Sequence, residues 1–222
     1  MSLALQKIEF APDVADQVYR RLLDAICNGS LAPAARLTQE ELAASLEVSR
    51  QPVIQALRML KRDGFVIDAG KRGVMVAPLD ADHITQLYAV RGVLDGLAAR
   101  QAAEARVPID RIQMEHGRRI ASGDGVGPMI DADLQFHQSV YAASGNPLIA
   151  ASADTHWRHI RRAMGAVLRA EGMRGAIWDE HEAILEAIAA GRADHAEKLA
   201  RDHCEAAGQR LAAFVAVHIR SA

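Results

Sequence analysis

"TQEELAASLEVSRQPVIQALRMLKRDGFVIDAGKRGVMVAP", residues 38–78, decides the fold, because two helix starts and a hairpin follow one another within it. Thr38 and Glu41 form a T-x-x-E capping box, in which each side chain satisfies a backbone N–H left open at the helix start. Ser49 is placed to cap a second helix, and Pro52 falls in its first turn, where a missing N–H costs little. Val53, Leu57 and Leu60 recur at helical spacing as an inner stripe, and Gly64 ends the helix. Two β-prone runs follow, Phe65–Ile67 and Val74–Val76, around a Gly-Lys-Arg-Gly tip. That pattern is a hairpin.

Upstream, residues 13–29 set Val14, Val18, Leu22 and Ile26 on one helical stripe closed by Gly29. Three short helices and then a basic-tipped hairpin is the order of a winged helix-turn-helix. Pro78-Leu79-Asp80 reads as a linker. From Ala81 onward the pattern holds no strand, and helices are expected over 82–105, 108–121, 128–144, 147–169, 173–190 and 193–219. Their breaks are Pro108, residues 122–128, residues 144–147, Gly172 and Gly191. The expected fold is therefore mainly α. An N-terminal winged helix-turn-helix spans 1–78, and an all-helical antiparallel bundle spans 79–222.

Half of the 222 residues are hydrophobic and few are aromatic, which gives enough apolar surface for a core and excludes a disordered chain. A net charge of −2 excludes a uniformly basic chain, but the charge is unevenly spread. From Arg50 to Arg72, the basic residues Arg50, Arg58, Lys61, Arg62, Lys71 and Arg72 stand against only Asp63 and Asp68. Cys27 and Cys204 are the two cysteines of the chain, far apart and in no pattern that implies a disulfide framework or a thiolate metal site. They fit a reducing compartment. The first residues lack a basic segment leading into a long apolar run, and no stretch approaches the roughly 20 apolar residues of a membrane span. A cytoplasmic protein with no membrane partner is expected.

In a helix-turn-helix the second helix enters the major groove and its N-terminal residues meet the base edges. Here those are Ser49, Arg50 and Gln51, with Gln55 and Arg58 one or two turns on. Arg50 suits guanine, and Gln51 or Gln55 suits adenine. Arg36, Thr38, Lys61, Arg62, Lys71 and Arg72 are better placed for the phosphate backbone, which positions without specifying. One recognition helix reads few bases, so a homodimer on a palindromic double-stranded operator is expected.

In the bundle, Asp133 and His137 sit four apart on one helix face, near Ile130, Leu134 and Val140. His181 lies in a stripe with Ile177, Ile184, Leu185 and Ile188, and His203 falls on the Leu199–Ala206 face. Buried imidazoles need partners, because an unpaired buried polar group costs about 1–3 kcal/mol. Separate hydrogen bonds would supply them. So would one shared divalent ion, since three nitrogens and a carboxylate suit zinc or nickel. Arg91 shares the apolar face of its helix with Ile84, Leu87, Leu94 and Ala98. It wants an anion, either Asp95 of its own helix or a small carboxylate effector. The other histidines, His83, His116, His156, His159, His195 and His218, show no partner pattern.

The segments "LAPAARL", "LEVSRQPVIQALRML" and "DGFV" before a Gly-flanked wing resemble the winged helix of GntR-type bacterial transcription regulators. That family usually carries Arg-Glu after the Pro-Val of the recognition helix. This chain has Ile54-Gln55 there, which implies a changed DNA contact. "LYAVRGVLDGLAAR", "DLQFHQSVYAASGNPLI" and "DEHEAILEAIAAGRADHAEKLARDHCEAA" resemble the FCD-type ligand-binding domain of the FadR-like subfamily. The resemblance implies that Asp133, His137, His181 and His203 bind a divalent transition metal. It implies a regulator, not an enzyme. Because a buried Arg91 wants an anion, the metal's open positions and Arg91 are expected to hold a small organic acid that modulates operator binding. Two alternatives are a regulator whose signal is the metal itself, and a metal-dependent hydrolase. The hydrolase lacks a general-base carboxylate at a spacing tied to the ligands.

Overall fold

A computed structural model of the chain describes residues 14–70, 73–109, 111–121, 125–167 and 176–218. The chain divides into two compact units, one holding residues 30–77 with the N-terminal helix, the other holding residues 78–222.

In the first unit α1 (Val14–Cys27), α2 (Gln39–Ser45) and α3 (Arg50–Arg62) accompany three short strands. These are β1 (Arg36–Leu37), β2 (Val66–Asp68) and β3 (Val74–Val76). The sheet order is β1-β3-β2 with both pairings antiparallel, Ile67 opposite Met75 and Leu37 opposite Val74. The hairpin was expected; β1 was not. Two residues are too short to show a period of two, and β1 exists because Ala34 N–H reaches Val76 O and Val76 N–H reaches Ala35 O. Val18, Leu22, Ile26, Val53, Leu57, Leu60 and Phe65 form the core. Val14, read as part of the α1 stripe, is exposed instead.

At the start of α2, Thr38 Oγ1 accepts from Glu41 N–H at 3.3 Å. The Glu41 carboxylate accepts a hydrogen bond from the Thr38 hydroxyl at 2.7 Å rather than from the Thr38 backbone N–H, so the box is half made. Ser49 holds the N-cap position of α3 with extended backbone and makes no side-chain cap bond. The turn between these helices passes through Glu47, whose φ of 53° is left-handed.

The second unit is built from α4 (Ala81–Ala105), α5 (Ile112–Ala121), α6 (Val126–Ala143), α7 (Pro147–Val167), α8 (Ala176–Ala189) and α9 (Ala193–His218). Asp80, read as linker, caps α4 by accepting from His83 N–H at 2.7 Å. Pro128, read as a break, lies in the first turn of α6, where proline is tolerated. The α6–α7 turn runs through Gly145 at φ 69°, and Asn146 Oδ1 caps α7 at Leu148 N–H.

α4 is the axis of this unit, packed along α9 and also against α6, α7 and α8. It gets close through small residues, with Ala98, Ala99, Ala102 and Ala103 fully enclosed. On α9, a Cβ at Gly208 would stand 2.6 Å from Tyr88 Cβ, so only glycine allows that approach. On α5, a Cβ at Gly117 would lie 1.8 Å from the Trp178 ring, which is how that indole reaches the interior.

Candidate metal centre and DNA-facing helix

α6 carries Asp133 and His137 on one face, α8 brings His181 and α9 brings His203, and all four are buried. The three histidines each offer a ring nitrogen within 4.8 Å of the others. His181 Nε2 lies 3.2 Å from His203 Nε2. Asp133 Oδ1 stands 3.5 Å from His181 Nε2 and 3.9 Å from His137 Nε2. The walls are aromatic. Phe136 stacks on His181 at 3.9 Å, Trp178 meets the same ring edge-on at 4.9 Å, and Trp157 is 5.2 Å from His137.

The outer nitrogens set the tautomers. His137 Nδ1 is 3.1 Å from Asp95 Oδ2, and His203 Nδ1 is 2.6 Å from Glu180 Oε2. Each carboxylate holds a proton on Nδ1 and leaves an Nε2 lone pair turned inward. Asp95 also accepts from Arg91 Nε at 3.1 Å, from the Cys204 thiol at 3.1 Å and from the Tyr141 hydroxyl. Glu180 accepts from Arg210 as well.

Charge follows this geometry. Burial favours a neutral Asp95, but Arg91, His137 and Tyr141 outweigh it and hold the carboxyl well below its usual range. Burial likewise raises Glu180, yet the bonds from His203 and Arg210 leave it lowered. His181 is driven well below the ordinary imidazole range by burial, with His203, His137 and Arg91 pushing the same way. Burial and then Arg91 lower His137 against the pull of Asp95.

The donor set fits a divalent ion. Bonds of about 2.0–2.2 Å put neighbouring donor atoms about 2.8–3.6 Å apart, which the His181–His203 and His181–Asp133 separations already meet. His181 Nδ1 is buried with no partner among the described residues, and an ion held through Nε2 leaves it so. His137 Nε2 accepts from Arg91 Nη2 at 2.5 Å, so ligation by all three imidazoles requires that bond to be released.

Arg91 itself is fully buried, paired with Asp95 and lying 4.1 Å from the Trp157 ring. The internal partner considered for it is therefore in place. Sequence reasoning missed Glu180 as a partner of the cluster. It precedes His181 in the chain but serves His203, and adjacent helical residues point about 100° apart, so no periodic signal joins them. The other described histidine side chains stay outside the cluster: His83, His116 and His195 are exposed, His156 and His159 half-buried.

On α3, Ser49, Arg50, Gln51, Gln55 and Arg58 are all exposed, as are Arg36 and Thr38 before α2. Arg50 pairs with Glu40 at 3.1 Å, Lys61 with Asp68 at 2.6 Å and Arg62 with Asp63 at 2.9 Å. Ile54 is half-buried. Lys71 and Arg72, expected at the wing tip, lie outside the described residues.

Residues 86–206 match the FCD domain, and residues 14–76 match the bacterial regulatory proteins of the gntR family. The chain belongs to the GntR family, with an FCD domain at its C-terminal side. Among GntR-type relatives, the HTH-type transcriptional regulator YdhC of Bacillus subtilis (strain 168) is 30% identical over 135 residues, 59% of this chain and 60% of that one. The Nta operon transcriptional regulator of Aminobacter aminovorans is 29% identical over 121 residues, 51% of this chain and 56% of that one. The matched stretch thus spans less than two thirds of either relative. A crystal structure of a GntR transcriptional regulator from Rhodococcus sp. RHA1 superposes with a TM-score of 0.74 at 26% identity, covering 89% of this chain and 96% of that one.

Proposed function

We propose that this chain is a cytoplasmic, homodimeric, DNA-binding transcription regulator whose helical unit binds a divalent transition metal, zinc or nickel, and a small organic acid. In this reading residues 1–78 bind a palindromic operator and residues 79–222 bind metal and effector and dimerise. Membership of the GntR family supports regulation rather than catalysis. No helix among the described residues is long and apolar enough to cross a membrane.

One observation carries the metal reading: two carboxylates hold the outer nitrogens of His137 and His203, so their lone pairs converge with His181 Nε2 beside Asp133. Asp133, His137, His181 and His203 would hold the ion. It would supply positive charge for a carboxylate ligand. Arg91 adds the orienting group. Released from His137, it keeps Asp95 through Nε and offers Nη2 to an anion. A ligand that binds two arrangements of the protein unequally shifts the balance between them, which is how an effector in the bundle would alter operator affinity.

Metal analysis and calorimetric zinc and nickel titration of the wild type and His181→Ala test the ion, with stoichiometric binding lost in the variant as the expected result. Equal retention by both proteins would end the metal reading. Fluorescence anisotropy with the DNA upstream of the chain's own gene tests the other half. Arg50→Ala should weaken specific binding by about 1–3 kcal/mol, and unchanged specificity would remove Arg50 from the base-reading role. Thermal shifts with dicarboxylates and hydroxy acids, lost in Arg91→Gln, test the effector site; shifts retained in that variant would remove Arg91 from it.

A further inference from the structure

α7 carries three arginines close together, and two of them have a carboxylate. Arg158 pairs with Asp154 at 2.5 Å and Arg161 with Asp131 at 3.5 Å, both on half-exposed side chains. Arg162 is the buried one, 6% exposed, and its Nε and Nη2 are enclosed with no partner among the described residues. Burial pulls this guanidinium down to about 10, which still leaves it charged at neutral pH, and the one described group that favours the charge is Cys27. That thiol donates to the Arg158 carbonyl oxygen at 3.5 Å, so it stands there as a donor and not as a counter-ion. Residues 27–29 cluster with α7 in the second unit. Close-set main chain walls the same stretch: a Cβ at Gly165 would lie 2.6 Å from the Cys27 carbonyl oxygen. A buried cation without a partner is costly to a fold.

Which two atoms are open matters. Nε–H and one Nη2–H leave the guanidinium along the same edge, spaced to meet two oxygens of one anion. Water accepts there but brings no charge, whereas a carboxylate or a phosphate fills both positions and neutralises the cation. We propose that the Nε–Nη2 edge of Arg162 is an anion site that takes the two-oxygen face of a small carboxylate or of a phosphate group. The site is separate from the histidine cluster. Trp157 faces that cluster, and Arg162 follows it by five residues, about 140° further round the helix. The inference does not rest on the effector reading above, in which Arg91 is the orienting group.

Thermal unfolding of the full-length protein in inorganic phosphate or in acetate, against chloride at matched ionic strength, tests the site. At a tenfold excess over its dissociation constant a bound anion should raise the wild-type midpoint by about 3–6 °C. Arg162→Met should abolish that rise and, in chloride, melt no lower than the wild type, because an apolar side chain replaces an uncompensated buried charge. Arg162→Lys covers the case in which the methionine variant misfolds. It keeps the charge without the fork, so calorimetric titration should show the anion bound at least about tenfold more weakly. Arg91→Gln should leave the rise in place, since that arginine belongs to the histidine cluster. A response to one anion only, lost in Arg162→Met, supports the site and names its ligand. A wild type that responds to neither anion beyond chloride overturns the proposal. So does a rise that persists in both Arg162 variants, or one lost in Arg91→Gln and kept in Arg162→Met.

Discussion

Asp95 takes hydrogen bonds from Arg91, His137, Cys204 and Tyr141, so one carboxylate holds the orientation of groups from α4, α6 and α9. Replacing it with Asn keeps the volume but removes the charge that fixes the His137 tautomer. Asp95→Asn is therefore expected to weaken zinc binding by about 10–100-fold, read by competition with a chromophoric chelator. Equal affinity would mean that packing alone orients the imidazole. His137 and His181 also make a pH prediction for metal-free protein. Both are held below the ordinary imidazole value in the folded chain, so the unfolded chain takes up protons that the folded one refuses. Stability should be full above pH about 6.5 and fall as the pH drops below it, visible as a declining urea midpoint between neutral and mildly acid buffer. A flat midpoint over that range would contradict the burial-driven shift.

Elements carry their own strains and close fits. Glu47 is left-handed in the turn between α2 and α3, a conformation in which a Cβ costs about 1–2 kcal/mol. Glu47→Gly should raise stability by about 0.5–1 kcal/mol in urea unfolding, the gain reduced by glycine's larger freedom in the unfolded chain. Gly208 is the opposite case. Alanine there drives α9 against Tyr88 and should cost about 1–3 kcal/mol in the same assay. The helices were readable because their apolar positions repeat at helical spacing over many turns. β1 was not readable, since its two residues are a strand only through Val76 of a distant segment. Of the cluster, Asp133 and His137 showed themselves as an i, i+4 pair. Glu180 stayed hidden because its role depends on where α9 packs, and tertiary contact leaves no mark on local pattern.

At the scale of the whole molecule, two units with separate cores predict two unfolding transitions. Scanning calorimetry should show zinc raising one of them and leaving the other in place, since a ligand stabilises only what it binds, by about 2.7 kcal/mol at a hundredfold excess over its dissociation constant. A single transition that moves as a whole would show that the two cores melt together. The chain contains two tryptophans, and both stand on the histidine cluster, Trp157 beside His137 and Trp178 beside His181. Its intrinsic fluorescence therefore reports this one place and little else. A paramagnetic ion such as nickel bound there should quench the emission, so occupancy can be followed optically with no label attached.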